Sequence, residues 1–158
     1  AQFPDMVDHL VLCSLSAKTN DRAGTIVRSW LEILRLSGLE AMAWAALPAV
    51  FGSSFLNQHQ KILDKIVDAV VLRNRRESLI AQLEAVLRYP SPGSMTQNSN
   101  QPALVISGAD DPLIDPADVR LLAELCNACH KELAGIGHSI PAEAPRIFEK
   151  LVLEFLTK

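Results

Sequence analysis

The stretch that decides the fold is Ala103-Leu-Val-Ile-Ser-Gly-Ala-Asp-Asp-Pro112, a run of apolar residues that passes into a glycine and two carboxylates. Residues 103–107 have the length and composition of a buried parallel strand, because such strands are apolar on both faces instead of alternating. Gly108 and Pro112 are turn formers that follow the run directly. The pattern predicts a strand with an acidic loop at its carboxyl end.

Downstream of this strand, the hydrophobic pattern alternates between helix and strand. It predicts a helix at 116–127, a strand at 129–134 and a helix at about 144–157. Asp115 directly precedes a proline and is placed to cap the first of these helices. Alternating strands and helices with short connections indicate a parallel sheet covered by helices. The second strand leads into Gly137-His138-Ser139, so an imidazole follows one strand as a carboxylate follows the other.

Upstream of residue 103 the sequence predicts one further strand and an inserted block of helices. A buried strand is predicted at Val7-Asp-His-Leu-Val-Leu-Cys13. Helices are predicted at about 22–38, 39–47, 56–73 and 77–89, with Gly38 and Pro48 ending the first two. The predicted organisation is therefore a core strand and exit loop at 1–21, the helical block at 22–89, a Pro- and Gly-rich linker at 90–102, and a C-terminal core part at 103–158. The fold class is α/β.

Composition excludes several classes of function. Apolar residues make up 49% and charged residues 21% of the 158, as in ordinary soluble domains. No apolar run approaches the roughly 20 residues that span a bilayer, and residues 1–20 lack a signal-peptide pattern, so we expect a cytoplasmic protein without a membrane partner. A net charge of −3 argues against nucleic acid as a partner. The chain begins at Ala1 and not at Met, which predicts that residue 1 is not a natural start.

The three cysteines favour a reducing compartment, because their number is odd and small. Cys126-Asn-Ala-Cys129-His130 matches the C-x-x-C-H pattern of haem attachment, but such a haem also needs an export route and a second axial ligand. We expect each thiol to be a small buried apolar group instead. Clustered His and carboxylate spacing of a metal site is absent from the sequence, so neither a metal nor a cofactor is predicted.

Asp111 and His138 form a candidate acid and base pair. Reacting groups in parallel sheets gather beyond the carboxyl ends of strands, where these two residues lie. Asp111 would accept a hydrogen bond from the Nδ1–H of His138, which would leave Nε2 free to take a proton from a nucleophile. Spacing alone does not separate Asp110 from Asp111, and a structural loop histidine is the alternative for His138. The motif G-x-S-x-G, which presents a nucleophilic serine, does not occur in the 158 residues.

The chain resembles the α/β-hydrolase superfamily, in particular its cap-bearing esterase-like and lactonase-like members. Gly108-x-x-Asp111-Pro112 looks like the acid loop of that family, and Gly137-His138 followed by Glu143 and Pro145 looks like its histidine loop. Residues 3–12 resemble the strand after the nucleophile helix, and residues 22–89 resemble the helical cap. The order and spacing of these motifs extend the resemblance over nearly the whole chain.

The resemblance implies that Asp111 is the triad acid, in preference to Asp110, and that His138 is the general base. It also implies that the nucleophile and the oxyanion-hole amides precede residue 1. The chain would then be the C-terminal segment of a cofactor-independent hydrolase that acts on an ester, a lactone or a related carbonyl compound, and it would be inactive alone.

The same reading predicts substrate contacts and partners. Trp30, Trp44 and Phe51 of the predicted cap could line an apolar pocket, although aromatic residues at helical spacing are more often part of a core. Leu113 and Ser139 adjoin the two loops. Besides a small-molecule substrate, the expected partner is the missing N-terminal segment or another copy of the chain, since an unpaired sheet edge invites association. The alternative is a non-catalytic, hydrolase-like interaction module that dimerises through this edge.

Overall fold

A three-stranded parallel sheet forms the centre of the fold. The computed structural model describes residues 4–18, 20–89 and 101–157. Strands β1 (Leu10–Cys13), β2 (Ala103–Gly108) and β3 (Cys129–Leu133) lie in the order β1-β2-β3, so that β2 is central. Both strand pairs are parallel. The strand predicted at 103–107 is therefore the middle of the sheet.

Strand β2 is buried along its whole length because helices cover both faces of the sheet. Its alternate residues face two separate cores, as the two-residue period of a strand requires. Ala103 and Val105 pack against helix α5 (Pro116–Leu125). Leu104 and Ile106 pack with helix α7 (Pro145–Leu156). Because both faces of β2 are buried, its residues are apolar throughout and do not alternate with polar ones.

A block of helices connects β1 to β2. Its elements are α1 (Asp21–Val50), α2 (Ser53–Gln58), a 3₁₀ turn (Gln60–Ile62), α3 (Leu63–Arg73) and α4 (Arg76–Arg88). Helix α1 packs against both α3 and α4. The block has a small core of its own around Ala43, Leu47 and Val67. We refer to these elements together as the helical block.

Gly38 separates α1 into two helical segments, as the sequence predicts. Its backbone lies at φ +88° and ψ −176°, a region open almost only to glycine, so the predicted boundary between two helices is a kink. The guanidinium of Arg76 donates hydrogen bonds to the carbonyls of Leu34 (3.2 Å) and Arg35 (2.9 Å). These carbonyls lie within four residues of the kink, where the regular helical ladder is interrupted.

Helix α1 is long and apolar enough to cross a membrane by length and composition alone. The sequence predicts two shorter helices here, and the non-helical backbone at Gly38 confirms that division. The kink divides the element, and its buried residues, including Leu31 and Leu47, face other helices and loops of the described chain.

Three predicted boundaries are wrong. Strand β1 begins at Leu10 and not at Val7, because Leu10 already pairs with the first residue of β2, which follows a proline without an N–H. The helix predicted at 56–73 is interrupted at His59, where φ is −115° and ψ is 20°. The helix predicted at 39–47 continues through Pro48 to Val50, within α1. The predicted last helix is confirmed as α7, and a short helix that the sequence did not predict, α6 (Ile140–Glu143), precedes it; Ala144 lies between the two, precedes a proline and leaves the helical region. Most of the predicted linker, residues 90–100, lies outside the described residues.

Candidate active site

Asp111 lies in the loop that follows β2, and its carboxylate is nearly inaccessible. The side chain is 1% exposed. Its Oδ1 accepts a hydrogen bond from the N–H of Leu113 at 2.8 Å, and its Oδ2 lies 2.7 Å from Nδ1 of His138. Asp110 is exposed on the surface. Of the two adjacent carboxylates, the structure therefore brings Asp111 to the histidine.

His138 follows β3 and is about one-third exposed. The short contact with a buried carboxylate assigns the proton to Nδ1, which donates to Oδ2 of Asp111. This tautomer leaves Nε2 unprotonated and able to accept a proton. No hydrogen bond joins Nε2 to any of the described residues. The ring therefore presents a basic nitrogen away from the carboxylate that orients it.

Backbone contacts hold the acid loop and the histidine loop together. Ala109 N–H donates to the carbonyl of Leu133, and Asp110 N–H donates to the carbonyl of Ile136, both at 2.9 Å. A Cβ at Gly108 would overlap the carbonyl oxygens of Ile136 and Gly137. Glycine is required at 108 because the two loops approach backbone to backbone.

Ser14 is a site residue that the sequence did not single out. It follows β1 directly and has φ +52°, an unusual value for a residue other than glycine. Its Oγ donates a 2.6 Å hydrogen bond to the carbonyl of His138. Its own N–H donates to the carbonyl of Ile106 in β2. The third strand end therefore also contacts the histidine loop, at a residue with a strained backbone.

Cys13 is the last residue of β1, directly before Ser14, and its thiol is kept in the neutral form. Burial raises the pKa of Cys13, the neighbouring charge of Asp111 raises it further, and the hydroxyl of Ser14 acts in the opposite direction. A thiol whose pKa is raised is a poor nucleophile near neutral pH.

An open cavity of about 900 Å³ begins at His138. Helices α1 and α4 form its walls, and the loop after β1 and the acid loop complete it. Its lining is mostly apolar and includes Val27, Trp30, Leu83 and Val86. A cavity of this volume, whose surface is mainly apolar but also includes polar side chains such as Asn20 and Arg28, has the size and character of a small-molecule site.

The other predicted contact residues occupy different positions. Leu113 lines the cavity. Trp44 is 40% exposed on α1, and Phe51 packs in the core of the helical block, with its ring stacked on Phe55 at 4.5 Å between centroids. Ser139 donates its backbone N–H to the carbonyl of Val50. Trp30, one of the three aromatic residues predicted for the pocket, lines the cavity together with Tyr89.

The C-x-x-C-H segment has the environment of ordinary structure. Cys126 is buried in the core beneath α5. Cys129 is exposed, so the expectation that it is buried is wrong; it lies on β3, which occupies the edge of the described sheet. The ring of His130 is engaged with Ser107, with 2.8 Å between Nε2 and Oγ. The expected N-cap is confirmed, since Asp115 accepts from the N–H of Ala117.

The parallel sheet, its two helical layers and the helical block have the fold of an α/β-hydrolase, as the sequence motifs indicated. The chain is similar to proteins of that superfamily over nearly its whole length. It is 25% identical over 150 residues to 3-oxoadipate enol-lactonase 2 of Acinetobacter baylyi, covering 95% of this chain and 55% of that protein. No protein-family model matches the chain.

Solved structures give the same result. The α/β-hydrolase MGS-M2, from a deep-sea metagenome library of the Medee basin, superimposes with a TM-score of 0.88 at 23% identity, over 99% of this chain and 58% of that one. The enol-lactonase of Burkholderia xenovorans LB400 superimposes with a TM-score of 0.83 at 28% identity, over 98% of this chain and 58% of that one. The chain thus spans little more than half the length of these hydrolases.

Proposed function

We propose that the full-length protein is a hydrolase that cleaves an ester, a lactone or a related carbonyl compound through a nucleophile-His-Asp triad. Asp111 is the acid of this triad and His138 is its general base. The observation that supports this most directly is the 2.7 Å hydrogen bond from His138 to a buried carboxylate, beside an apolar cavity. The similarity to known hydrolases supports the same class of reaction.

The proposed chemistry follows from the two ring nitrogens. Nε2 of His138 takes the proton of the nucleophile as it attacks the substrate carbonyl carbon, and the imidazolium then gives that proton to the leaving group. Water, deprotonated by the same nitrogen, then hydrolyses the covalent intermediate. The charge of Asp111 stabilises the imidazolium and fixes its tautomer. A positioned base of this kind contributes about 10² to 10⁴ in rate.

The nucleophile belongs to a segment outside these 158 residues in this proposal. The sequence lacks G-x-S-x-G, and the chain spans 58% of the solved hydrolases that it resembles. The oxyanion-hole amides are assigned to the same segment, so the chain by itself is not expected to turn over substrate.

The helical block acts as the cap that selects the substrate. Its helices α1 and α4 supply the apolar walls of the cavity, which favours a substrate with an apolar acyl or ring group. Trp30 and Leu113 are the contacts best placed for this role, while Trp44, Phe51 and Ser139 remain predictions. The cytoplasm is the proposed compartment, because all three cysteines, each within the described residues, are free thiols.

Hydrolysis of p-nitrophenyl acetate by the full-length protein tests the proposal. His138→Ala and Asp111→Asn should each lower kcat, the latter by about 10⁴ because the tautomer is no longer fixed. Asp110→Asn is the matched control, since this exposed neighbour does not contact His138, and it should retain wild-type turnover. Full activity in a folded His138→Ala variant would remove that residue from its assigned role.

The unpaired edge of β1 favours a second candidate function, a non-catalytic interaction module. Within the described residues, β1 pairs only with β2, and its residues are half-buried. Helix α7 also leaves Ile147, Leu153 and Leu156 about half exposed. Such surfaces bind a further segment or another copy of the chain. Light scattering on the isolated chain tests this candidate: association supports the module, and a well-folded monomer at high concentration counts against it.

A further inference from the structure

Glu143 links two segments that are far apart in the sequence. Its Oε2 accepts a 2.8 Å hydrogen bond from the N–H of Gly52, just past the end of α1. The same carboxylate accepts from the N–H of Gly137, at 3.1 Å from each oxygen. Gly137 directly precedes His138. One carboxylate therefore joins the helical block to the histidine loop through two charge-assisted hydrogen bonds.

The backbones of these two segments are in direct contact. A Cβ at Gly137 would overlap the amide nitrogen of Gly52, and a Cβ at Gly52 would lie 2.9 Å from the amide nitrogen of Gly137. Each of these backbone N–H donors needs an acceptor, and one carboxylate can serve both because the two backbones lie so close together. A second bond, from Ser139 N–H to the carbonyl of Val50 at 3.0 Å, fixes their relative register.

This contact connects the end of α1 to the candidate base. Helix α1 provides one wall of the cavity and ends at Val50. Val50 and the residues that follow it contact the backbone on both sides of His138. A shift of the α1 segment after Gly38 would therefore move the imidazole, whereas the residues of α1 that line the cavity lie before Gly38.

We propose that Glu143 is a positioning residue that couples the helical block to His138, so that the orientation of the base depends on where the end of α1 is held. The kinetic consequence rests on the proposed role of His138 as a base. The coupling itself is a property of the folded chain and can be measured without turnover.

Nuclear magnetic resonance on the 158-residue chain tests the coupling. In Glu143→Ala we expect the amide signals of Gly52 and Gly137 to move together, and the low-field signal of the His138 Nδ1 proton to broaden or vanish. Glu143→Gln should retain that proton signal, because a single oxygen is enough: in the structure Oε2 accepts from both amides. Glu149→Ala, an exposed carboxylate on α7, is the matched control and should change none of these signals.

Kinetics of the full-length protein test the consequence. Glu143→Ala should lower kcat for p-nitrophenyl acetate by about 10- to 100-fold, the penalty of a displaced catalytic group. Glu143→Gln should stay within about 3-fold of wild type, since it keeps one shared acceptor.

The outcomes separate the two proposals. If the wild-type protein hydrolyses no ester, the proposed function fails, and the nuclear magnetic resonance result still decides the coupling. An unchanged His138 proton signal in folded Glu143→Ala would overturn the coupling. If Glu143→Ala does not fold, Glu143→Gln decides: joint movement of the Gly52 and Gly137 signals supports the link, and movement of one alone refutes it.

Discussion

At the scale of single residues, the candidate site combines contacts that the sequence predicts with contacts that it does not. The pairing of Asp111 with His138 could be predicted, because each follows a strand and parallel strands end at one edge of the sheet. Spacing did not separate Asp111 from Asp110; burial and a hydrogen bond to Leu113 do. Ser14 and Glu143 bind backbone groups 124 and 91 residues away, and no local pattern encodes such distances.

The cysteines provide a prediction at the same scale. Iodoacetamide near neutral pH should modify exposed Cys129 in the folded chain and spare Cys13 and Cys126, which mass spectrometry of peptides would identify. Cys13 is protected because burial raises its pKa and keeps the thiol protonated. All three should react in urea. Rapid modification of Cys13 in the folded chain would contradict the described burial.

The raised pKa of Cys13 also has a consequence for stability. The folded state holds the thiol proton more tightly than the unfolded chain does. The free energy of unfolding should therefore fall as pH rises through and above the ordinary thiol pKa, and Cys13→Ser should reduce that part of the dependence. Urea titrations at neutral and alkaline pH would measure it. An identical alkaline loss in both proteins would rule out Cys13 as its source.

At the scale of elements, the sequence predicts helix and strand types better than their ends. The spacing of the apolar residues predicts strands β2 and β3 and the helices of the block. This spacing carries the information because it reflects which faces of each element are buried. The break at Gly38 is also predicted, from the residue type, but the groups that satisfy the carbonyls next to it are not. The carbonyls near the kink are satisfied by Arg76, at the start of a different helix, and this partner is unknown until the helices have packed.

Two glycines in α1 provide a matched pair of substitutions. A Cβ would meet open space at both Gly24 and Gly38, but only Gly38 has a positive φ. Gly38→Ala should therefore destabilise the chain by about 1–3 kcal/mol through backbone strain. Gly24→Ala should stabilise it by about 0.5–1 kcal/mol, because alanine loses less entropy in a regular helix. Chemical denaturation measures both, and equal effects would show that the kink is not rigid.

At the scale of the whole molecule, the fold class was predictable and the position of the cavity was not. The order of strands and helices defines a parallel sheet with two helical layers. The cavity, by contrast, depends on how α1 packs against α4. Of the three aromatic residues predicted for the pocket, this packing places only Trp30 in its lining. A stripe of apolar residues on a helix indicates which side chains are buried, but it does not indicate which other element they pack against.

The free edge of β1 gives a prediction at this scale. The N–H groups of Leu10 and Ser14 point toward β2. Strand alternation therefore directs those of Val11 and Cys13 away from it. Hydrogen exchange at Val11 and Cys13 should be fast in the isolated monomeric chain and slow in the full-length protein, where another strand would pair with this edge. Equal protection in both would show that the edge has no partner strand.

Chemical rescue tests the central claim most directly. In the full-length protein, His138→Ala should lose p-nitrophenyl acetate turnover, and added imidazole should restore part of it, because a free imidazole can occupy the vacated position and accept the proton. Hydrolysis by imidazole alone is subtracted, and the wild-type protein should gain nothing from the addition. Wild-type turnover by folded His138→Ala without imidazole would contradict the account.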